Sequence, residues 1–216
     1  CRDLGSTVNE IEKTIAQKVQ LPEGYYIDYG GQFEAQQESS RLILVLSIFS
    51  LLAIFIVLFA HFRSTGIALQ VMLNIPLALV GSVIAVAITG GTFSVATMVG
   101  FITLTGIASR NGIMMISHYI HLIKYEGEKF SKEMIIRGAL ERLVPVMMTA
   151  LVAALALIPL SLNGQASGKE ILHPVAVVIL GGLISSTFLA LIVTPVVFYL
   201  YGEKALNKYL NETATD

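Results

Sequence analysis

Five long apolar blocks dominate the pattern of hydrophobic and polar positions along the chain. The first block, residues 42–60, reads LILVLSIFSLLAIFIVLFA and contains no charged side chain. At a rise of 1.5 Å per residue this helix is about 28 Å long, close to the thickness of the hydrocarbon core of a bilayer. The other blocks lie at about 67–89, 94–119, 143–162 and 174–200. The pattern therefore predicts an all-α polytopic membrane domain over residues 41–201, with five transmembrane helices.

Residues 1–40 follow a different, polar pattern. Apolar side chains recur there at helical spacing, at Val8, Ile11, Ile15 and Val19. Thr7 and Glu10 have the T-x-x-E spacing of a capping box at a helix start. After an LPEG turn, the aromatic and β-branched segment YYIDYGG predicts a short strand. A helix followed by a strand is typical of the end of an α+β domain, so we expect the chain to be a piece of a longer protein.

Helix-breaking and polar segments divide the apolar blocks. Pro76, in NIP, removes a helix hydrogen bond and predicts a kink or interruption in the second span. The charged segment SKEMIIRGALER, residues 131–142, predicts a short amphipathic helix on the membrane surface. Pro145 and Pro159 predict weak points in the fourth span, and residues 202–216 form a polar tail.

Composition and charge narrow the class of protein further. Hydrophobic residues make up 55% and charged residues 13% of the 216 residues, whereas soluble domains carry about 25% charged residues. The net charge of −1 gives no reason to expect a nucleic-acid partner. No phosphate-binding loop, nucleophile constellation or carboxylate pair is apparent, so we expect neither an enzyme nor a bound cofactor.

The distribution of basic residues predicts the orientation in the membrane. The connection over residues 122–142 is rich in lysine and arginine, whereas that over 163–173 contains only Lys169. Because positively charged loops stay in the cytoplasm, the 122–142 loop and the C-terminus are predicted to be cytoplasmic. Residues 1–40 are then predicted to lie on the outer side.

Arg110 is a charged residue within the third apolar block. A charge at the bilayer centre costs about 2.5–3.5 kcal/mol on insertion scales. Either the side chain reaches toward the cytoplasmic headgroups, or it faces the interior of the helix bundle. Its small and polar neighbours, among them Gly106, Asn111 and Gly112, favour the interior, because such residues occur at close helix contacts. The five predicted spans contain no Asp or Glu, so an intramembrane carboxylate partner would have to come from outside this chain.

Other polar or sulfur-containing residues suggest less specific chemistry. Thr149 lies in the fourth span, where a lone threonine usually bonds to its own helix backbone, and Arg142 begins that span at the interface. The four methionines Met114, Met115, Met147 and Met148 favour packing over metal binding, because adjacent methionines point to different helix faces. His118, His121 and His173 are weak metal-ligand candidates, the first two at i and i+3 spacing without an evident third ligand.

Several motifs occur in an order that resembles a known transporter family. They are GYYIDYGGQFEAQ, NIPLALVGS, VGFITLTGIASRNGIM, GALERLVPVMMTAL and GKEILHPVAVVILGGLISSTFLALIVTPVVF. Nearly the whole chain resembles the C-terminal portion of resistance-nodulation-division efflux permeases, above all the CzcA/CusA-like heavy-metal branch. The resemblance implies half of that fold, namely the end of the second periplasmic loop followed by membrane helices eight to twelve.

The resemblance also implies a function and partners. The implied function is proton-driven export of heavy-metal cations (cobalt, zinc and cadmium, or copper and silver) by a pump in the inner membrane. The pump would be a homotrimer, and its implied partners are a periplasmic adaptor, an outer-membrane channel and the missing N-terminal half of the permease. Arg110 matches the position of a basic residue in the proton relay, with Asn111 beside it. Thr149 matches a relay threonine and Arg142 a basic residue at the cytoplasmic mouth. Residues expected to act in helix flexure or packing are Pro76, Gly106, Gly112, Pro145, Gly181 and Gly182.

Two other functions stay open on the sequence. An exporter of drugs or amphiphiles from the same superfamily would lack metal ligands in its periplasmic domain. A membrane scaffold or degenerate remnant would not transport at all.

Overall fold

Helices account for nearly all of the regular structure. The computed structural model describes residues 4–19, 22, 24, 27, 31–91, 93–162, 169 and 171–213. Within that part the helices are α1 (Leu4–Lys18), α2 (Gln32–Phe62), α3 (Thr65–Met72), α4 (Asn74–Ile88), α5 (Val95–Lys124), α6 (Lys132–Ser161) and α7 (Leu172–Thr213). The predicted all-α class is confirmed for these residues. Most of the predicted strand YYIDYGG lies outside them.

The chain divides into two compact units, Cys1–Ser47 and Ile48–Asp216. In the first unit, α1 begins at Leu4, three residues before the predicted capping threonine. The capping-box prediction is therefore wrong, because Leu4 stands four positions before Val8 and extends the apolar stripe toward the N-terminus. Within α1, Thr14 donates a hydrogen bond to the carbonyl of Glu10 at 2.7 Å, a usual length for a hydroxyl donor.

Five helical segments of the described chain are long and apolar enough to cross a membrane: Glu34–Phe62, Thr65–Ile88, Val95–Lys124, Lys132–Ser161 and Leu172–Glu203. The second segment consists of α3 and α4, which are separated at Leu73. Pro76 lies in the first turn of α4, where its missing N–H removes no intrahelical bond. The break in the second span therefore falls just before this proline.

The amphipathic segment over residues 131–142, predicted as a separate surface helix, is instead the start of α6. Ser131 caps this helix by accepting a hydrogen bond from the backbone N–H of Met134 at 3.2 Å. Met134 and Ile135 are buried, and a Cβ on Gly138 would lie 2.8 Å from the ring of Tyr119. The prediction of a surface helix is wrong because the apolar face of this segment packs on α5. The helix then continues through Pro145 to Ser161.

The second unit is organised around the seam between α4 and α7. A Cβ on Gly181 would overlap the Cβ of Ala85 and lie 2.8 Å from the carbonyl oxygen of Gly81. Three hydrogen bonds join described residues of the two helices. Ser82 donates to the carbonyl of Val178 at 2.9 Å, Ser185 donates to that of Leu77 at 2.7 Å, and Thr194 donates to the side-chain oxygen of Asn74 at 2.9 Å. The absence of side chains at the glycines lets the two backbones approach closely. Helix α5 packs on this pair, and α6 packs on α5 and α7.

Candidate functional site: a groove around Arg110

A groove of about 400 Å³ lies between α5, α6 and α7. Helix α5 contributes most of its wall, α6 contributes Thr149 and Ala153, and α7 contributes Leu183. The α5 residues that line it are Thr103, Gly106, Ile107, Arg110 and Asn111. The structure thus brings together three of the four residues assigned to the proton relay by resemblance, Arg110, Asn111 and Thr149.

Arg110 presents an exposed side chain to this groove, whereas Asn111 beside it is only 5% exposed. No lining residue is acidic, and within the described part of the chain no hydrogen bond or ion pair reaches the Arg110 guanidinium. Guanidinium groups remain charged in proteins. The groove therefore holds a fixed positive charge in the middle of an apolar helix, without a counter-charge among these residues.

The opposite face of α5 fixes the rotation of this helix about its own axis. A Cβ on Gly112 would lie 2.6 Å from the side-chain nitrogen of Asn74 at the start of α4. Asn74 in turn accepts a hydrogen bond of 2.9 Å from the hydroxyl of Thr194 on α7. Its amide nitrogen donates to the carbonyl of Val71 at 3.2 Å. Because Gly112 and Arg110 point to roughly opposite sides of the helix, this contact turns Arg110 toward the groove.

The remaining predicted packing residues occupy contrasting surroundings. A Cβ on Gly182 would overlap the side chain of Leu104 on α5. Gly106, by contrast, lines the groove, and a Cβ there would have no atom of the described chain within 4 Å. Pro145 lies inside α6, which stays helical on both sides of it.

Thr149 bonds to its own helix, since its hydroxyl donates to the carbonyl of Val146 at 2.9 Å. This is the usual arrangement for a lone threonine in a membrane helix. The residue nevertheless lines the groove across from Arg110, so the same hydroxyl oxygen remains a possible acceptor there.

Arg142 lies apart from the groove, in a polar cluster with His118 and Glu141. The Nε2 atom of His118 is 2.7 Å from a carboxylate oxygen of Glu141, and its Nδ1 atom is 3.4 Å from Nη2 of Arg142. Arg137 donates to the other carboxylate oxygen of Glu141 at 2.8 Å and also pairs with Glu126 and Glu128. The cluster was not predicted from the sequence, where i,i+4 spacing of Arg137 and Glu141 was the one available signal.

The histidines do not form a metal site in the described part of the chain. His121 stacks on His118 with ring centroids 6.4 Å apart, and its Nδ1 atom is 3.9 Å from Glu126. His173 lies in the first turn of α7, where its backbone N–H donates to the carbonyl of Lys169 at 2.9 Å. Among the residues that the structure describes, no group of three or more His, Cys, Asp or Glu side chains is placed to hold a metal ion.

Comparison with known proteins identifies the family. The model of the AcrB/AcrD/AcrF family matches residues 1–202. The chain belongs to the AcrB/AcrD/AcrF family. These proteins are resistance-nodulation-division permeases, so the family assignment made from the sequence motifs is confirmed.

Relatives within the AcrB/AcrD/AcrF family point to its heavy-metal branch. The chain is 42% identical to protein HelA of Legionella pneumophila, covering 93% of this chain and 19% of HelA. It is 40% identical to the cobalt-zinc-cadmium resistance protein CzcA of Cupriavidus metallidurans, covering 94% of this chain and 19% of CzcA. A crystal structure of a heavy metal efflux pump superposes with a TM-score of 0.80 at 36% identity, covering 94% of this chain and 20% of the pump. The chain thus spans about a fifth of the length of these relatives.

Proposed function

We propose that this chain is part of an inner-membrane, proton-driven pump that exports heavy-metal cations. The observation that carries this proposal is the groove around Arg110. It places a fixed charge within a membrane-spanning helix, without a counter-charge in the described chain. The similarity of the chain to a protein named for resistance to cobalt, zinc and cadmium supports metal cations as the transported substrate. The pump would be a secondary active transporter that uses the proton gradient and needs no cofactor.

The groove would receive a carboxylate from the part of the permease that this chain does not include. Leaving a membrane-buried charge unpaired costs several kcal/mol, whereas a carboxylate would pair with the planar guanidinium through two parallel hydrogen bonds. Asn111 and Thr149 line the same groove and would orient the carboxylate through their polar side chains.

Proton binding would drive the conformational change by weakening this ion pair. An arginine keeps its proton, so the carboxylate is the group that would titrate. Arg110 would respond when that carboxylate is protonated and loses its negative charge. Helix α6 would follow, because Thr149 faces the groove and Pro145 leaves α6 short of one backbone hydrogen bond nearby. Arg142 would lie on the cytoplasmic side of the same path.

The assembly would place residues 1–40 in the periplasm and the C-terminus in the cytoplasm, in keeping with the distribution of lysine and arginine. As in the family it resembles, the permease would form a homotrimer, surrounded by membrane lipids. It would deliver metal through a periplasmic adaptor and an outer-membrane channel.

Metal accumulation in cells carrying the full-length gene tests this function. Cells with the native pump should accumulate less Zn²⁺, Co²⁺, Cd²⁺, Cu⁺ or Ag⁺ than cells without it, and Arg110→Ala should abolish the difference. The matched control is Arg63→Ala, outside the groove on the connection between α2 and α3. Equal accumulation of every metal with and without the native pump would refute metal export and turn the search to drugs and amphiphiles. Transport that survives Arg110→Ala would refute the proposed coupling.

A further inference from the structure

The cluster at the cytoplasmic end of α5 and α6 holds a histidine between groups of opposite charge. The His118 side chain is only 13% exposed, with Glu141 at 2.7 Å and Arg142 at 3.4 Å, both from α6. From its own helix His121 stacks on it, and Arg137 binds the carboxylate of Glu141 from the far side. Within the part of the chain that the structure describes, these are the charged and titratable groups in contact with the imidazole or with its carboxylate partner.

The contacts of the two ring nitrogens determine the tautomer. A guanidinium has only donors, so Nδ1 of His118 must accept the hydrogen bond from Arg142. In the neutral ring the proton is then on Nε2, which donates to the carboxylate of Glu141. The ring nitrogen that can take up a proton is therefore Nδ1, whose lone pair accepts the hydrogen bond from Arg142, which is long at 3.4 Å.

The cluster lies further along the same two helices that form the groove. His118 follows Arg110 by about two turns of α5, or roughly 12 Å, and Arg142 precedes Thr149 by about two turns of α6. The intervening residues are Asn-Gly-Ile-Met-Met-Ile-Ser on α5 and Leu-Val-Pro-Val-Met-Met on α6, none of which titrates near neutral pH. On these helices His118 is thus the next proton acceptor after the groove.

We propose that His118, held between Glu141 and Arg142, takes up the protons that leave the Arg110 groove and releases them to the cytoplasm. This inference rests on the proposed function. The carboxylic acid in the groove loses a proton and Nδ1 of His118 gains one, which leaves a carboxylate and an imidazolium. Because roughly 12 Å of helix separates the two positions, water would have to carry the proton between them. The imidazolium then gives a proton to cytoplasmic water and returns to the neutral ring.

Proton uptake at Nδ1 also displaces Arg142. The protonated ring has two donors and no acceptor, so the hydrogen bond from Arg142 is lost and two positive charges face each other. The Nε atom of Arg142 is buried and has no hydrogen-bond partner within the described chain, so few contacts oppose this movement. Each proton that passes would therefore move Arg142 away from His118 and back.

The test uses the full-length pump in energised inside-out vesicles, whose outer face is cytoplasmic. Proton release is followed as the loss of the pH gradient when Zn²⁺, Co²⁺, Cd²⁺, Cu⁺ or Ag⁺ is added. The key variant is His118→Gln, because a glutamine amide can still accept from Arg142 and donate to Glu141 but cannot carry a proton. We expect the metal-driven rate to fall at least about a hundredfold, the lower end of the range of about 10²–10⁴ for loss of an acid–base group. His121→Gln is the matched control and should keep the native rate.

Chemical rescue separates proton transfer from a structural role. Imidazole, which by itself dissipates part of the pH gradient, should restore a measurable part of the metal-dependent rate in His118→Ala but not in Arg110→Ala. A native rate in His118→Gln, or an equal loss in His118→Gln and His121→Gln, would overturn the inference. If either of these outcomes is found while Arg110→Ala is inactive, the role of His118 is refuted but the proposed function of the Arg110 groove is kept. A native pump that releases no protons with any of the metals would refute both.

Discussion

The close contact between α4 and α7 leads to a sharp prediction about stability. In Gly181→Ala the new methyl group would overlap the Cβ of Ala85 and lie 2.8 Å from the carbonyl oxygen of Gly81. Neither neighbour is the end of a flexible side chain, so relief requires one helix to move. Overpacking of this kind costs about 1–3 kcal/mol. The higher helix propensity of alanine offsets about 1 kcal/mol at most.

Gly106→Ala is the matched control, since it makes the same change on a neighbouring helix. A Cβ at Gly106 has no atom of the described chain within 4 Å, so the gain in helix propensity should leave the stability equal or slightly higher. The double variant Gly181→Ala/Ala85→Gly removes one of the two clashes and should recover part of the loss.

Thermal unfolding of the 216-residue chain in detergent, followed by the loss of the monodisperse fluorescent fusion peak, provides the assay. For a chain of this size 1 kcal/mol corresponds to a melting-temperature shift of about 2–4 °C. We expect Gly181→Ala to melt several degrees below Gly106→Ala. Equal melting temperatures for the two variants would show that α4 and α7 do not approach as closely as described.

Three further substitutions test single polar groups by the same unfolding assay. Thr194→Val should destabilise the chain by about 1–3 kcal/mol, because it leaves the buried side-chain oxygen of Asn74 without its donor. The control is Thr103→Val, since the exposed hydroxyl of Thr103 bonds to its own helix. An equal effect of the two substitutions would contradict the role of Asn74. Ser185→Ala removes the hydrogen bond to α4 and should cost about 1 kcal/mol, so an unchanged melting temperature would argue against that bond. Tyr119→Phe should be neutral or stabilising although the residue is fully buried, because its hydroxyl has no partner in the described chain; a marked loss of stability would reveal a partner for the hydroxyl.

The sequence by itself determined the helical class and the family. Each apolar block is long enough to cross a bilayer, and in lipid a backbone must satisfy its hydrogen bonds within the helix. Arg110 was also recognisable from the sequence, because a charge inside an apolar run is costly wherever the helix packs. Such features depend on the transfer free energy of each residue, which is a local property of the chain.

Local patterns were misleading where the apolar face of a segment could be covered either by lipid or by other helices. Residues 131–142 have the pattern of a surface helix, yet Met134 and Gly138 pack against the other helices, and the segment continues directly into the fourth span. The polar residues after Tyr201 predicted a tail, whereas α7 continues to Thr213 and buries Leu206. An amphipathic stripe shows that a face will be covered but does not say whether lipid or protein covers it.

Only the tertiary structure decided which polar groups meet. Asn74 and Thr194 are far apart in the sequence and form a direct hydrogen bond, and His118 on α5 finds Glu141 and Arg142 on α6. The contact between Gly112 and Asn74 likewise turns Arg110 toward the groove that Thr149 also lines. These pairings depend on the rotation of each helix about its axis and on its vertical register against its neighbours. Both are set by side-chain packing between helices, which the hydrophobic pattern within any one span does not determine.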